Sequence, residues 1–168
     1  MTIDLADDHP RGEDMPTHHL AQVNIARMLA PLDSEQMAGF VNRLDEINAL
    51  ADQAAGFIWR LQTTDGNATA LRVFDDAMLI VNLSVWEDLE SLHEYTYKTA
   101  HVELIRDRKQ WFSQFEKPHL VLWWIAAGHI PTPTEAREKL EALTANGPSP
   151  AAFTFAKHFT IAEMLAQA

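Results

Sequence analysis

The 168-residue sequence contains no cysteine. Disulfides, thiolate metal sites and a cysteine nucleophile are therefore excluded, and the absence suits a reducing, cytoplasmic setting. Basic residues are few: 13 Lys and Arg stand against 24 Asp and Glu, a formal net charge of -11. A field of that sign repels nucleic acid and anionic membrane surfaces, so neither is expected as a partner. No apolar run reaches the roughly 18 residues of a membrane span. The N-terminus lacks a basic stretch followed by an apolar one, so no signal peptide is expected. HExxH and HxH motifs, a Gly-rich phosphate loop and a GxSxG setting for Ser84 are also missing.

What remains is one domain's length of chain with an ordinary hydrophobic content of 47%, enough for a real core. Residues 1–17 mix Asp4, Asp7, Asp8, Glu13 and Asp14 with Pro and Gly and show no period; they read as a flexible acidic tail. Residues 18–156 read as the folded domain, and 157–168 as a C-terminal tail or peripheral helix.

Within the domain, period-two and period-3.6 segments alternate. Leu20–Met28 reads as a strand with Ala21, Val23 and Ile25 on one side and Gln22 and Asn24 on the other. Asp33 or Ser34 is placed to cap a helix of roughly 20 residues that carries Met37, Phe40, Val41, Leu44 and Ile47 on one face. Gly56 is its expected C-cap. Residues 56–62 form the second strand, with Phe57, Trp59 and Leu61 sharing a face opposite Ile58 and Arg60. A loop over 63–76 leads to a third strand, Met78–Trp86, apolar at Leu79, Val81, Leu83 and Val85 and polar at Asn82 and Ser84. Glu87 and Asp88 open a helix that runs to about Thr99 and restarts or continues to Phe115, where Lys117-Pro118 stops it. His119–Ala126 is the fourth strand, and Thr134 is expected to cap a helix over 134–145.

The order β-α-β-β-α-β with a C-terminal helical extension is that of an α+β, ferredoxin-like antiparallel sheet. Two helices cover one face of such a sheet and leave the other open, so a homodimer is expected to cover it. The purely apolar strand face is expected under the helices. The mixed face of Gln22, Asn24, Arg60, Gln62, Asn82 and Ser84 is expected at the dimer interface, where Asn24, Arg60 and Asn82 pair with one another or Arg60 and Asn24 line a ligand cavity.

Three groups of residues carry candidate chemistry. His93, Tyr97 and His101 recur every four residues and make one helical stripe. An imidazole beside a phenol suits proton transfer near neutral pH, or forms a structural core edge. His93 and His101 would stand about 12 Å apart at about 1.5 Å per residue, too far to share one metal ion. Arg106, Arg108 and Lys109 precede Trp111 and Phe112, an arrangement that clamps an anionic or aromatic ligand or snorkels over the core. The third group, Asn24, Arg60, Asn82 and Trp86, comprises the candidate substrate contacts from the strands. His119 and His129 lie at strand ends beside Pro and Gly, where turn hydrogen bonding accounts for them.

The segments GFIWRLQ (56–62), VNLSVWEDLESLHEYTY (81–97), HVELIRDRKQWF (101–112), LVLWWIAAGHIPTPTEA (120–136) and GPSPAAFTF (147–155) together resemble the bacterial DUF3291 family. The resemblance implies membership of the dimeric α/β-barrel superfamily. That superfamily includes cofactor-independent monooxygenases, polyketide cyclases, lactone isomerases and haem-binding or haem-degrading enzymes. It therefore implies a protein acting on a small apolar or aromatic metabolite. From the spacing and strand faces above, His93, Tyr97 and His101 are the catalytic candidates for it, and Asn24, Arg60, Asn82, Trp86, Arg108 and Trp111 the substrate contacts. No metal or cofactor is expected. Haem is the alternative, with Asn24, Trp86 and His93 in places comparable to those of haem-degrading members; a non-catalytic binding or dimerisation module is the third reading.

Overall fold

The computed structural model describes residues 16–62, 76, 78–98, 106–114 and 117–167. The expected tail over 1–15, all of 63–75, and His101 with the rest of 99–105 lie outside the described residues. Among the described residues four strands, β1 (His18–Arg27), β2 (Phe57–Arg60), β3 (Leu79–Trp86) and β4 (Leu120–Ala126), pair in the order β2-β3-β1-β4. Every pairing is antiparallel. Among the described residues the longer helices are α1 (Ala38–Gln53), α2 (Leu89–Lys98) and α3 (Pro133–Asn146), with a final turn and a half, α4 (Ile161–Leu165). This is the ferredoxin-like order expected from the sequence, with the extension supplied by α3 and α4.

Helices cover the two faces of the sheet unequally. The apolar face of Val23, Ile25, Val81, Leu83, Val85, Val121 and Trp123 packs against Ala136, Leu140 and Leu143 of α3. The mixed face lies beneath α1 and α2: Phe40 meets Ile80 and Met28, and Leu92 meets Trp86 and Leu122. The expected faces are thus inverted. The βαβ helices stand over the polar side, and α3 of the same chain takes the place that a second subunit was expected to fill. Apolar residues at positions 136, 140 and 143 share one helical face, which is why α3 packs dry on the apolar side.

Local chemistry explains the element ends. Ser34 occupies the N-cap of a single 3-10 turn that leads into α1, but its hydroxyl makes no capping bond and is buried without a partner. Asp88 caps α2, its Oδ1 accepting from the Ser91 amide at 2.8 Å. Thr132, rather than Thr134, caps α3: its Oγ1 accepts from the Glu135 amide at 3.1 Å. Pro133 follows at the first helical position, where its missing N–H costs nothing. In β2 a register shift between Phe57 and Trp59 turns Phe57 away from Trp59. Phe57 packs on Trp86 of the mixed face, and Trp59 packs on the apolar face. A bulge of this kind adds one residue and breaks the strict alternation.

Gly56 enters β2 with φ +80°, and a Cβ there would run into the Ser91 side chain. Both the left-handed backbone and the close approach demand glycine. Gly56→Ala is expected to destabilise the fold by about 2 kcal/mol or more, since the left-handed conformation alone costs roughly 1–2 kcal/mol for an L residue. Urea unfolding of the variant measures this directly.

Candidate functional site

The polar side of the sheet and the apolar undersides of α1 and α2 do not close on each other. They enclose a cavity of about 930 Å3, near the upper end of the usual size of a small-molecule site. Its floor is set by strand register. Gln22 of β1 stands opposite Ser84 of β3, and Asn24 opposite Asn82; Arg60 of β2 pairs with Ser84 from the other side. Period-two alternation then places Asn82, Ser84 and Trp86 on this same face. The roof is Phe40, Leu44, Ile47 and Ala51 of α1 with Leu92 and Tyr95 of α2. Arg108, Lys109, His119 and Phe155 contribute further lining.

The floor carries a polar network. Gln22 Nε2 donates to Ser84 Oγ at 2.7 Å, and Trp86 Nε1 donates to the same oxygen at 2.9 Å. Gln22 and Ser84 are only 4% and 6% exposed, so these bonds satisfy groups that are costly to bury unpaired. With both lone pairs of Oγ engaged, the Ser84 hydroxyl proton remains to be donated. Gln22 Nε2 also approaches Asn82 O and Oδ1 at 3.4 and 3.5 Å. Arg60 is held by Asp52 of α1 through Nε at 2.7 Å and Nη2 at 3.2 Å, a fork that offsets its charge.

Two titratable groups bear on chemistry. Tyr95 stacks on Trp86 with centroids 5.0 Å apart, and its hydroxyl donates to Ile47 O at 3.2 Å. Burial pushes the phenol up to about 12, with Arg60 opposing and Asp52 reinforcing the shift. Tyr95 is therefore a neutral donor at physiological pH. Because the folded value exceeds that of a free phenol, the unfolded chain loses this proton first. The stability that the buried neutral phenol contributes is intact below pH 10 and is lost as pH rises to about 12. Tyr95→Phe is expected to flatten that part of an alkaline denaturation profile. At the rim, burial and then the Arg108 charge hold the His119 imidazole below its ordinary value. His119 is thus neutral near pH 7 and able to accept a proton.

The nine residues expected from the sequence are only partly brought together. Asn24, Arg60, Asn82, Trp86, Arg108 and Tyr97 line the cavity. Tyr97 is 51% exposed, and its ring lies 4.6 Å from that of His93. Both rings meet Phe155 edge-on at 5.7 Å. His93 itself is exposed and does not line the cavity. Trp111 is buried in the core, 6.0 Å from the Phe40 ring and beneath the Arg43 guanidinium at 5.3 Å. Gln22, Ser84, Tyr95 and His119 were not expected as site residues. Gln22 and Ser84 follow from the same alternation as Asn24 and Asn82. Tyr95 lies three residues after Leu92, on the helix face beside the His93–Tyr97 stripe. His119 carried no local signal, because its neighbour Arg108 comes from a different segment.

Among the described residues no three His, Asp or Glu side chains cluster as a metal site. The haem alternative needs an axial histidine facing the cavity. His93 does not face it, and His101 lies outside the described residues. His93 is therefore not placed as an axial ligand in this cavity. Among them, no helix is long and apolar enough to cross a membrane.

The family model DUF3291, a domain of unknown function, matches residues 19–167. The chain belongs to the DUF3291 family. No curated protein matches this DUF3291 chain. Among solved structures it is similar to PA3566 from Pseudomonas aeruginosa, at 12% identity and a TM-score of 0.46 over 68% of this chain and 99% of that one. It is also similar to NE2512, a protein of unknown function from Nitrosomonas europaea, at 12% identity and a TM-score of 0.44 over 70% and 99%. A variant of SnoaB, a cofactor-independent oxygenase from Streptomyces nogalater, matches at 15% identity and a TM-score of 0.44 over 67% and 95%.

Proposed function

We propose that this DUF3291 protein binds a small, largely apolar or aromatic metabolite between the sheet and α1 and α2, and transforms it as a cofactor-independent oxygenase-, cyclase- or isomerase-like enzyme. The observation that carries this reading is the contrast across the cavity. An apolar roof of Phe40, Leu44 and Ile47 faces a floor of Gln22, Asn24, Asn82 and Ser84. A flat oxygenated ring system fits both, with one face against the helices and its oxygens over the sheet. Such reactions share a proton-removal step that leaves charge on oxygen. In this reading neutral His119 accepts the proton, and the Ser84 hydroxyl and Asn24 amide donate to the oxyanion. Tyr97 orients the substrate at the entrance, with His93 positioning Tyr97.

A neutral aromatic probe, N-phenyl-1-naphthylamine, tests the binding part. Its fluorescence is expected to rise with wild-type protein and to stay near background with Leu44→Trp, which fills the roof. No rise with wild-type protein would remove the reading.

The homodimer belongs to the same reading, with its contact moved. α3 already closes the apolar face over β1, β3 and β4, while Ile58 at the β2 edge is 38% exposed and Trp59 and Leu61 are half-buried. A second copy that covers this edge hides the unpaired strand. Sedimentation velocity is expected to show a species of twice the 19.0 kDa chain mass; a monomer at tens of micromolar would reject it.

A further inference from the structure

The cavity has a charge pattern that the chain as a whole does not. The protein carries 24 acidic residues against 13 basic ones, yet among the described residues the cavity lining includes Arg60, Arg108 and Lys109 and no Asp or Glu. Arg60 is already balanced by Asp52. The other described arginines that do not line the cavity are likewise paired: Arg27 with Asp76 at 3.1 Å, Arg43 and Arg106 with Asp107 at 3.0 and 3.4 Å, and Arg137 with Glu141 at 3.8 Å. Among the described arginines only Arg108 has no carboxylate partner, and it lines the cavity next to Lys109.

Arg108 and Lys109 are held in place by the backbone that carries them. Asp107 beside them is anchored by Arg43 of α1. Two residues on, Trp111 is buried over Gly39, where an added Cβ would lie 3.2 Å from the indole ring. The Trp111 carbonyl accepts from the Leu29 amide at 2.8 Å, and the Ser113 amide donates to Arg27 O at 3.0 Å. The segment is thus fixed to α1 and to the end of β1, with both cations at the cavity.

We infer that the ligand is an organic anion, an aromatic or polycyclic body bearing a carboxylate or comparable acidic group, and that Arg108 and Lys109 receive the acidic group while the body lies under α1. This rests on the cavity reading above and adds the chemical class of the ligand. Charge-assisted hydrogen bonds of this kind are roughly twice as strong as neutral ones. They also select against neutral analogues of the same shape.

The test uses two fluorescent probes that share a body and differ in charge. 8-Anilinonaphthalene-1-sulfonate is anionic, and N-phenyl-1-naphthylamine is its neutral counterpart. Wild-type protein is expected to bind the anion more tightly than the neutral probe. Arg108→Gln combined with Lys109→Gln is expected to weaken the anion by roughly tenfold, equivalent to about 1.4 kcal/mol, while the neutral probe stays within about twofold. Arg108→Glu is expected to remove anion binding and spare the neutral probe. Leu44→Trp is expected to block both, which locates them in the cavity. Neutral-probe binding with an anion affinity that ignores Arg108 and Lys109 overturns the anion inference and leaves the cavity reading standing. An equal loss of both probes in the double variant also overturns it, because the two residues would then shape the entrance rather than recognise charge. Failure of wild-type protein to bind either probe, or binding that ignores Leu44→Trp, removes the cavity reading and this inference with it.

Discussion

Trp86→Ala is expected to lower unfolding stability by roughly 3–5 kcal/mol, the range found for emptying a buried tryptophan site. Trp86 is 1% exposed and sits where three supports meet. Tyr95 stacks on it at 5.0 Å, Phe57 meets it edge-on at 5.4 Å, and its Nε1 donates to Ser84. Removing the ring therefore unseats α2 from the sheet and withdraws one donor from the floor of the cavity. Trp86→Phe keeps most of the packing and loses the N–H, so its cost should fall nearer the roughly 1 kcal/mol of one hydrogen bond. Urea denaturation of both variants separates the two contributions, and a Trp86→Ala cost below about 1 kcal/mol would show that Trp86 does not hold α2 in place.

Ser84→Ala is expected to cost stability and ligand affinity together. The substitution leaves Gln22 Nε2 and Trp86 Nε1 without their shared acceptor. A buried donor left unpaired costs roughly 1–3 kcal/mol, moderated here wherever cavity water reaches it. Replacing Gln22 as well removes its share of that penalty and leaves only the Trp86 N–H without its acceptor, so Gln22→Leu with Ser84→Ala should be more stable than Ser84→Ala alone. Ligand affinity should not recover in the double variant, because the hydroxyl that donates into the cavity is gone. A roughly tenfold loss is expected, about the worth of one good hydrogen bond. Recovery of both properties in the double variant would assign the network to packing alone.

Much of this fold could be read from alternation and capping, and its limits have physical causes. Ala21, Val23 and Ile25 against Gln22 and Asn24 sorted the two faces of β1 correctly. They could not say which face meets the helices, since turning a strand half a revolution about its axis exchanges the faces without changing the pattern. The register that joins Asn24 to Asn82 and Gln22 to Ser84 is a long-range fact, although the residues were visible as the polar side of their strands. The β2 bulge moved Phe57 to the opposite face from Trp59, which no period-two reading reports. Trp111 stands in an aromatic and basic run that suggested ligand contact, but its ring fills the gap over Gly39 and beneath Arg43. His119 gains its neutral imidazole from burial and from Arg108, and both depend on chain segments brought together only by folding.

The two indoles on opposite sides of the sheet supply the most direct test of where a ligand binds. Trp86 faces the cavity, whereas Trp123 is buried among apolar residues under α3. In an NMR titration with N-phenyl-1-naphthylamine, the Trp86 indole N–H and the side-chain amides of Gln22, Asn24 and Asn82 are predicted to shift, with the Trp123 indole unmoved. Shifts confined to Trp123 and α3, or an unchanged spectrum at saturating probe, would contradict a ligand site between the sheet and α1 and α2.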